Sequence, residues 1–316
     1  MNRHIVIFCL IAGLIVALLF IPHAEATSIR IGVLPIVESL PFLVAQEKGL
    51  FQSSGLKVEV VSFASALERD SAIQSGDIHG AIQDILGLSL LKSKGIPFTI
   101  VTNMTLPTSQ KDLFVLLASP GSGLKGIEDL RGSEIALSSH TIAEYVTDSL
   151  LSLKGLKIEE VKKVEVKKIP LRFQMLMEGK TKAATLPEPL ASLAVFQGAK
   201  KLGGDYGLKG TQVVLVFQES FMRKESKAMI RLGRAYIQAA RMINEDPRRW
   251  RELLVEKGRL PAPIKDAYTM NPFSEIQIPR PEEIQAVKTW MEGKGFETLK
   301  ITHSSMVHDI WVKGVR

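Results

Sequence analysis

The segment from Ile29 to Asp84 constrains the fold more than any other part of the chain. It opens with Ile29-Arg30-Ile31-Gly32-Val33-Leu34-Pro35. A short helical stretch follows, ending in Glu47-Lys48-Gly49-Leu50-Phe51, and then comes Leu56-Lys57-Val58-Glu59-Val60-Val61. Short apolar runs punctuated by Pro and Gly read as strand, loop, helix and strand, with Gly49 as the helix stop. A loop that leaves a buried strand and opens a helix is a natural ligand site. Helix N-termini carry unpaired N–H groups, and open α/β sheets bind ligands at the carboxyl ends of their strands.

The same pattern continues. Ser65-Ala66-Leu67-Glu68 is a capping box for a helix running to Gln74 and stopping at Gly76. Ile78 to Ile82 reads as a strand, with Asp84 just beyond it and a helix following to about Lys94. Pro97–Thr102 and Phe114–Ala118 read as strands. Then the order starts again. Glu134–Leu137 is a strand, Ser138-Ser139-His140 a loop, and Thr141 with Glu144 a second capping box. The helix from Thr141 to Lys154 puts Ile142, Val146, Leu150 and Leu153 on one face. A strand at Val164–Lys168, a helix stopped by Gly179, a strand at Ala183–Leu186 and Pro187-Glu188-Pro189 complete it. Helix, Gly76, strand, Asp84 is echoed by helix, Gly179, strand, Glu188, a topological echo without sequence identity. Two α/β lobes of this kind set their strand-end loops facing each other across a cleft.

Thr211–Phe217 is strongly strand-like. A long helix from about Lys224 to Glu245 carries Met229, Leu232, Tyr236, Ala239 and Ile243 as a core-facing stripe. Pro281 opens another helix with Ile284, Val287 and Met291 facing inward. The proline-containing segments 261–263 and 272–281 read as surface connections.

The first 26 residues read as an export signal. Arg3 precedes an apolar run from Ile5 to Ile21, Pro22 breaks it, and Ala24-Glu25-Ala26 is a small-x-small cleavage site. An uncleaved membrane anchor is the alternative. The chain's single cysteine, Cys9, lies in that run, so cleavage leaves no thiol chemistry and no disulfide. The net charge is +7, but nucleic acid is a poor partner for an exported protein. The lysines at 162, 163, 167, 168, 200 and 201 read as a solvated surface. The six histidines show no metal spacing, and no P-loop or nucleophile-elbow motif occurs. The expectation is a periplasmic monomer with no cofactor, no metal and no catalytic residues.

Particular residues then point to a family. Ile31-Gly32-Val33 with Pro41-Phe42-Leu43-Val44-Ala45-Gln46-Glu47-Lys48-Gly49-Leu50-Phe51 resembles the opening of type II ABC-transporter substrate-binding proteins. The resemblance is to the group that includes sulfonate, taurine, thiamine-pyrimidine-precursor and riboflavin binders. Ile73-Gln74-Ser75-Gly76-Asp77-Ile78-His79-Gly80-Ala81 resembles the group's second marker, and Leu124-Lys125-Gly126-Ile127-Glu128-Asp129-Leu130-Arg131-Gly132 its third. The resemblance implies an α/β, two-lobe periplasmic-binding-protein type II fold. Each lobe would be a mixed sheet flanked by helices, joined by a two-strand hinge near Leu113–Leu117 and Thr211–Phe217. Lobe 1 would comprise 27–113 plus 217–316 with the C-terminal helices, and lobe 2 would comprise 114–212. The implied function is the extracytoplasmic solute-binding component of an ABC importer. A small organic molecule would close the hinge, and the closed form would dock on an inner-membrane permease. An enzyme on the same scaffold, of thiamine-pyrimidine or menaquinone type, and an anchored sensor ectodomain are the alternatives.

Carried over from the resemblance, the cleft residues are Pro35, Ile36, Val37, Glu38 and Ser39; Ser65; Gln83 and Asp84; Ser138, Ser139, His140 and Thr141; Tyr145; and Glu188. Ser138, Ser139 and Thr141 either cap their own helix or offer hydroxyls and N–H groups to a ligand. Asp84 either caps the next helix or accepts from a ligand amine, and Glu188 is held between two prolines. Tyr145 either stacks on a ligand ring or packs in the core. Two acidic groups in the cleft would suit an aminopyrimidine or flavin-like ring better than a simple sulfonate or nitrate.

Overall fold

The computed structural model describes residues 27–315. The expected leader and Cys9 lie outside the described residues. Among the described residues no helix is long and apolar enough to cross a membrane.

Among the described residues ten strands form two five-stranded sheets. The first holds β1 (Thr27–Val33), β2 (Leu56–Ser62), β3 (Gly80–Asp84), β4 (Phe98–Thr105) and β10 (Val213–Gln218), in the order β2-β1-β3-β10-β4. The second holds β5 (Phe114–Ala118), β6 (Glu134–Leu137), β7 (Lys162–Glu165), β8 (Ala183–Pro187) and β9 (Lys200–Gly204), in the order β7-β6-β8-β5-β9. In each sheet the first three strands are parallel and the fourth is antiparallel. That fourth strand is the one arriving from the other lobe: β10 in the first sheet, β5 in the second. The sequence echo is therefore a real duplication of topology. The inner strands β3, β5, β8 and β10, and the edge strand β4, are buried almost throughout because other elements cover them.

Local signals account for several element ends. The Ser65 hydroxyl accepts from Glu68 N at 3.2 Å, and Asp84 accepts from Gly87 N at 2.7 Å, each opening a helix. Pro281 stands in the first turn of the helix Pro281–Gly293, which buries Ile284, Val287 and Met291 as its spacing predicts. Other expectations shift. The strand expected at Ile78–Ile82 is observed at Gly80–Asp84, since Asp77 to His79 turn the chain and His79 Nδ1 accepts Arg30 N at 3.0 Å. Leu153 is exposed, not part of the buried face of the helix Ile142–Leu153. The segment 261–263 lies at the surface as expected, while 272–281 also carries a core residue: Phe273 is buried and bridges Thr105 of β4.

The lobes are joined differently from the expected pair of crossing strands. β5 and β10 each lie inside one sheet, and the crossings are the stretches 106–113 and 205–212. Side-chain carboxylates bind these stretches together. Asp205 Oδ1 accepts the N–H groups of Leu113 and Phe114 at 2.8 and 3.2 Å, and Asp112 Oδ1 accepts Tyr206 N at 2.8 Å. Burial pushes the Asp205 carboxyl up to about 7 despite those two donors.

Candidate functional site

Between the lobes lies a cleft of about 590 Å³, open mouth included. Lobe 1 contributes Leu34 and Ile36 from the loop after β1, Arg69 from the helix Ala66–Ser75, and Ile82, Gln83 and Asp84 from the end of β3. Lobe 2 contributes Ser138, Thr141, Ile142 and Ala143 at the start of the helix Ile142–Leu153, and Lys167, Ile169 and Arg172 around the start of the helix Ile169–Met177. Phe114, Pro187 and Val213 form the hinge-side wall. The lips touch on one side, where Ile169 N–H donates to the Ala64 carbonyl at 3.2 Å.

The walls are mostly apolar, and the charges are few and unequal. Arg69 is 1% exposed. Its guanidinium is held by the Ile82 carbonyl at 3.0 Å, by Asp70 at 2.9 Å and by the Gln83 side-chain oxygen. Arg172 is 3% exposed. Among the described residues it donates one bond, to the Val166 carbonyl at 3.2 Å, and its Nε has no partner. Burial lowers its pKa to about 10, which still leaves a cation at neutral pH. Lys167 stands exposed at the mouth. Against these three cations the cleft sets Asp84. Burial raises the Asp84 pKa, the nearby Arg69 opposes the rise, and one of its oxygens is taken by Gly87 N. The helix start at Ile142 faces the same space, and the first N–H groups of a helix have no partner within it. Among the described residues no acceptor meets the N–H groups of Ile142 and Ala143.

Of the residues carried over from sequence, Ile36, Gln83, Asp84, Ser138 and Thr141 line this cleft. The others stand elsewhere. Pro35 lines a separate crevice near the lips with Phe63, Ala64 and Pro170. Val37 and Ser39 are buried in lobe 1, and Ser65 caps its helix. Glu38 is buried and accepts from the Thr105 hydroxyl at 2.8 Å. Ser139 N–H donates to Glu165 at 2.9 Å. His140, at φ +58°, rests against the Phe296 ring. The Tyr145 hydroxyl donates to the Lys209 carbonyl at 2.7 Å and its ring meets Trp290 edge-on, so core packing, not ligand stacking, is its geometry. Glu188 pairs with Lys111 at 3.0 Å and lines a different crevice with Ser192 and Tyr268. The expected capping box at Thr141 does not form. The Thr141 hydroxyl donates to the Ser138 carbonyl at 2.7 Å, while Glu144 accepts His140 N at 2.7 Å and is drawn toward Lys163.

Arg69 and Arg172 were not singled out by sequence. Each had a signal: it occupies an apolar stripe. Arg69 precedes Ala72 and Ile73, and Arg172 stands between Ile169 and Leu176, all buried at helical spacing. A long cation in a core-facing stripe is unusual unless something pairs with it.

The two sheets, their shared strand order and the cleft between them define a periplasmic-binding-protein type II fold. The chain belongs to the family described as NMT1/THI5 like, whose pattern it matches over residues 37–249. The alkanesulfonate-binding protein SsuA of Xanthomonas axonopodis pv. citri, solved bound to MOPS, superposes with TM-score 0.76 at 20% identity, over 90% of this chain and 99% of that one. The periplasmic nitrate-binding protein NrtA of Synechocystis PCC 6803 superposes with TM-score 0.72 at 15% identity, over 92% of this chain and 88% of that one. In sequence, 111 residues are 30% identical to the nitrate import ATP-binding protein NrtC of Synechococcus elongatus. That match spans 34% of this chain and only 17% of the length of NrtC.

Proposed function

We propose that this chain is the extracytoplasmic solute-binding component of an ABC importer, and that it captures a small organic anion with an apolar body. The observation that carries this reading is Arg172: a buried guanidinium lining the cleft with a single hydrogen bond and an unpartnered Nε. A buried cation with so few hydrogen bonds is costly even with the Glu165 carboxylate near enough to favour its charge, and an anion at that spot would relieve it with short charge-assisted bonds. The N–H groups of Ile142 and Ala143 favour the same charge.

A nitrogen-rich ligand would need Asp84 and Glu188 acting together in the cleft. Glu188 is neutralised by Lys111 in another crevice, and Asp84 is outnumbered by Arg69, Arg172 and Lys167. The apolar walls give a carbon body somewhere to go, which a bare inorganic anion would leave unfilled. The named relatives that bind alkanesulfonate and nitrate support an anion. A ligand touching both lobes binds the closed arrangement more tightly, which is the whole driving force for closure. The closed form then delivers the solute to a membrane permease, chemically unaltered.

Calorimetry on residues 27–316 tests the reading with alkanesulfonates, aryl carboxylates, nitrate and an aminopyrimidine. Organic anions are expected to bind, and Arg172→Met to weaken them by about tenfold to a hundredfold, the worth of one or two charged hydrogen bonds. Binding of the aminopyrimidine alone, untouched by Arg172→Met, would refute it.

A further inference from the structure

The C-terminal helix Pro281–Gly293 is tethered to one lobe and grips the other. Its tethers are on the first sheet. Before it, Ser274 N donates to the Met104 carbonyl at 2.7 Å and Asn103 N to the Gln277 carbonyl at 2.7 Å, both on β4. After it, His308 N donates to the Ile100 carbonyl at 2.8 Å, again on β4. The helix itself packs on the lobe 1 helix Ile85–Ser93.

Its grip is on lobe 2, along the helix Ile142–Leu153. Lys294 Nζ lies 2.8 Å from Asp148 and 3.4 Å from Glu144. Trp290 Nε1 donates to Asp148 at 3.2 Å. Lys163, from β7, closes the cluster at 2.7 Å from Glu144 and 2.8 Å from Asp148. Both carboxylates are nearly out of water, with side chains 7% and 2% exposed. Two rings extend the contact: Trp290 meets Tyr145, and Phe296 meets His140. Glu144 also holds His140 N–H, so the cluster reaches the loop Ser138–Thr141 at the cleft wall.

We infer that Trp290, Lys294 and Phe296 form an inter-lobe strap that holds the two lobes together without ligand and positions the Ser138–Thr141 loop. Opening the cleft would move lobe 2 away from a helix fixed to β4. Either the Lys294–Asp148 and Trp290–Asp148 contacts break, or the helix leaves its tethers. Breaking the first set strands Asp148 with Lys163 as its remaining cation. Such a loss in a dry setting favours the strapped arrangement. Ligand affinity then depends on residues that touch no ligand, because the strap and the ligand draw on the same closed state.

The test needs no ligand, so it stands apart from the proposed function. The leader region holds the only native cysteine, Cys9. Residues 27–316 carrying Leu67→Cys and Leu171→Cys take spin labels at two exposed sites on opposite lobes, and pulsed EPR gives the distance between them. The parent should show one short distance. Lys294→Met keeps the aliphatic stem and removes the charge, and Trp290→Phe keeps a ring and removes the donor. Each is expected to add a longer-distance population, raising the open-to-closed ratio about tenfold, the worth of one charge-assisted hydrogen bond. Lys288→Met, on the same helix but facing Glu292, should leave the distribution unchanged. Circular dichroism melts confirm that each variant folds. Identical distributions for the parent, Lys294→Met and Trp290→Phe would overturn the strap, as would a long-distance population already dominant in the parent.

Discussion

Replacing Glu38 by glutamine should stabilise the protein at neutral and alkaline pH and do nothing in acid. Glu38 is 3% exposed, and its one side-chain donor is the Thr105 hydroxyl at 2.8 Å. Burial raises its pKa from 4.5 to about 7, with Thr105 opposing the rise and Glu188 adding slightly to it. The folded protein therefore holds this proton more tightly than the unfolded chain does. The stability that the proton contributes is complete below pH 4.5 and is lost as pH rises through about 7. At ~1.4 kcal/mol per tenfold, the gap between those values corresponds to roughly 3 kcal/mol lost by pH 8. Glutamine keeps the oxygen that accepts from Thr105 and never ionises. Urea unfolding from pH 4 to 9 measures the difference. Asp84 and Asp205 also have pKa values raised by burial and cost stability as pH rises in both proteins, so subtracting the two curves isolates Glu38. The curves should meet near pH 4 and separate by roughly 3 kcal/mol at pH 8. Curves that stay parallel across the range would show that Glu38 ionises freely in the fold, and the burial argument would fail.

Two further substitutions probe how the C-terminal segment is fastened. Gly210 sits at φ +78°, and a Cβ there would lie 2.7 Å from the Glu283 carbonyl oxygen and 2.6 Å from Val287. Gly210→Ala should cost about 2 kcal/mol in urea unfolding, since strain in the left-handed region adds to a clash with backbone. Trp311 is fully buried and donates its indole N–H to the Met229 carbonyl at 2.8 Å. Trp311→Ala should cost roughly 3–5 kcal/mol, read as a lowered melting temperature, and should raise hydrogen exchange along the helix Ser226–Glu245.

What could be read from sequence was local. The strand and helix order, the caps at Ser65 and Asp84, and the inward stripe of the helix Pro281–Gly293 depend on residues a few positions apart. The capping box at Thr141 failed for a non-local reason. Glu144 is claimed by Lys163 from a neighbouring strand and Lys294 from the far end of the chain, and these pairings have no periodicity to find. The hinge was misplaced by a few residues for a similar reason. Phe114 and Val213 look like strand and are strand, but the crossing is made by the stretches before them, fixed by Asp112 and Asp205. Tyr145 could not be assigned a side from spacing alone, because Trp290 and the Lys209 carbonyl decide it.

The sign of the cleft's charge shows why a roll of acidic and basic residues misleads. A carboxylate near a cleft counts toward ligand choice only if its own fold has not already satisfied it. Glu188 has Lys111 and the Ser192 hydroxyl, and Asp84 has Gly87 N–H and the field of Arg69. Arg69 in turn has Ile82, Asp70 and Gln83. Arg172 is the group left over, with one bond for a five-donor cation and its neighbour Glu165 turned to Ser138 and Ser139. A ligand completes what the fold leaves open. The residue that best indicates its chemistry is therefore the one whose partners are fewest, here a cation, and that is the physical ground for expecting an anion between these lobes.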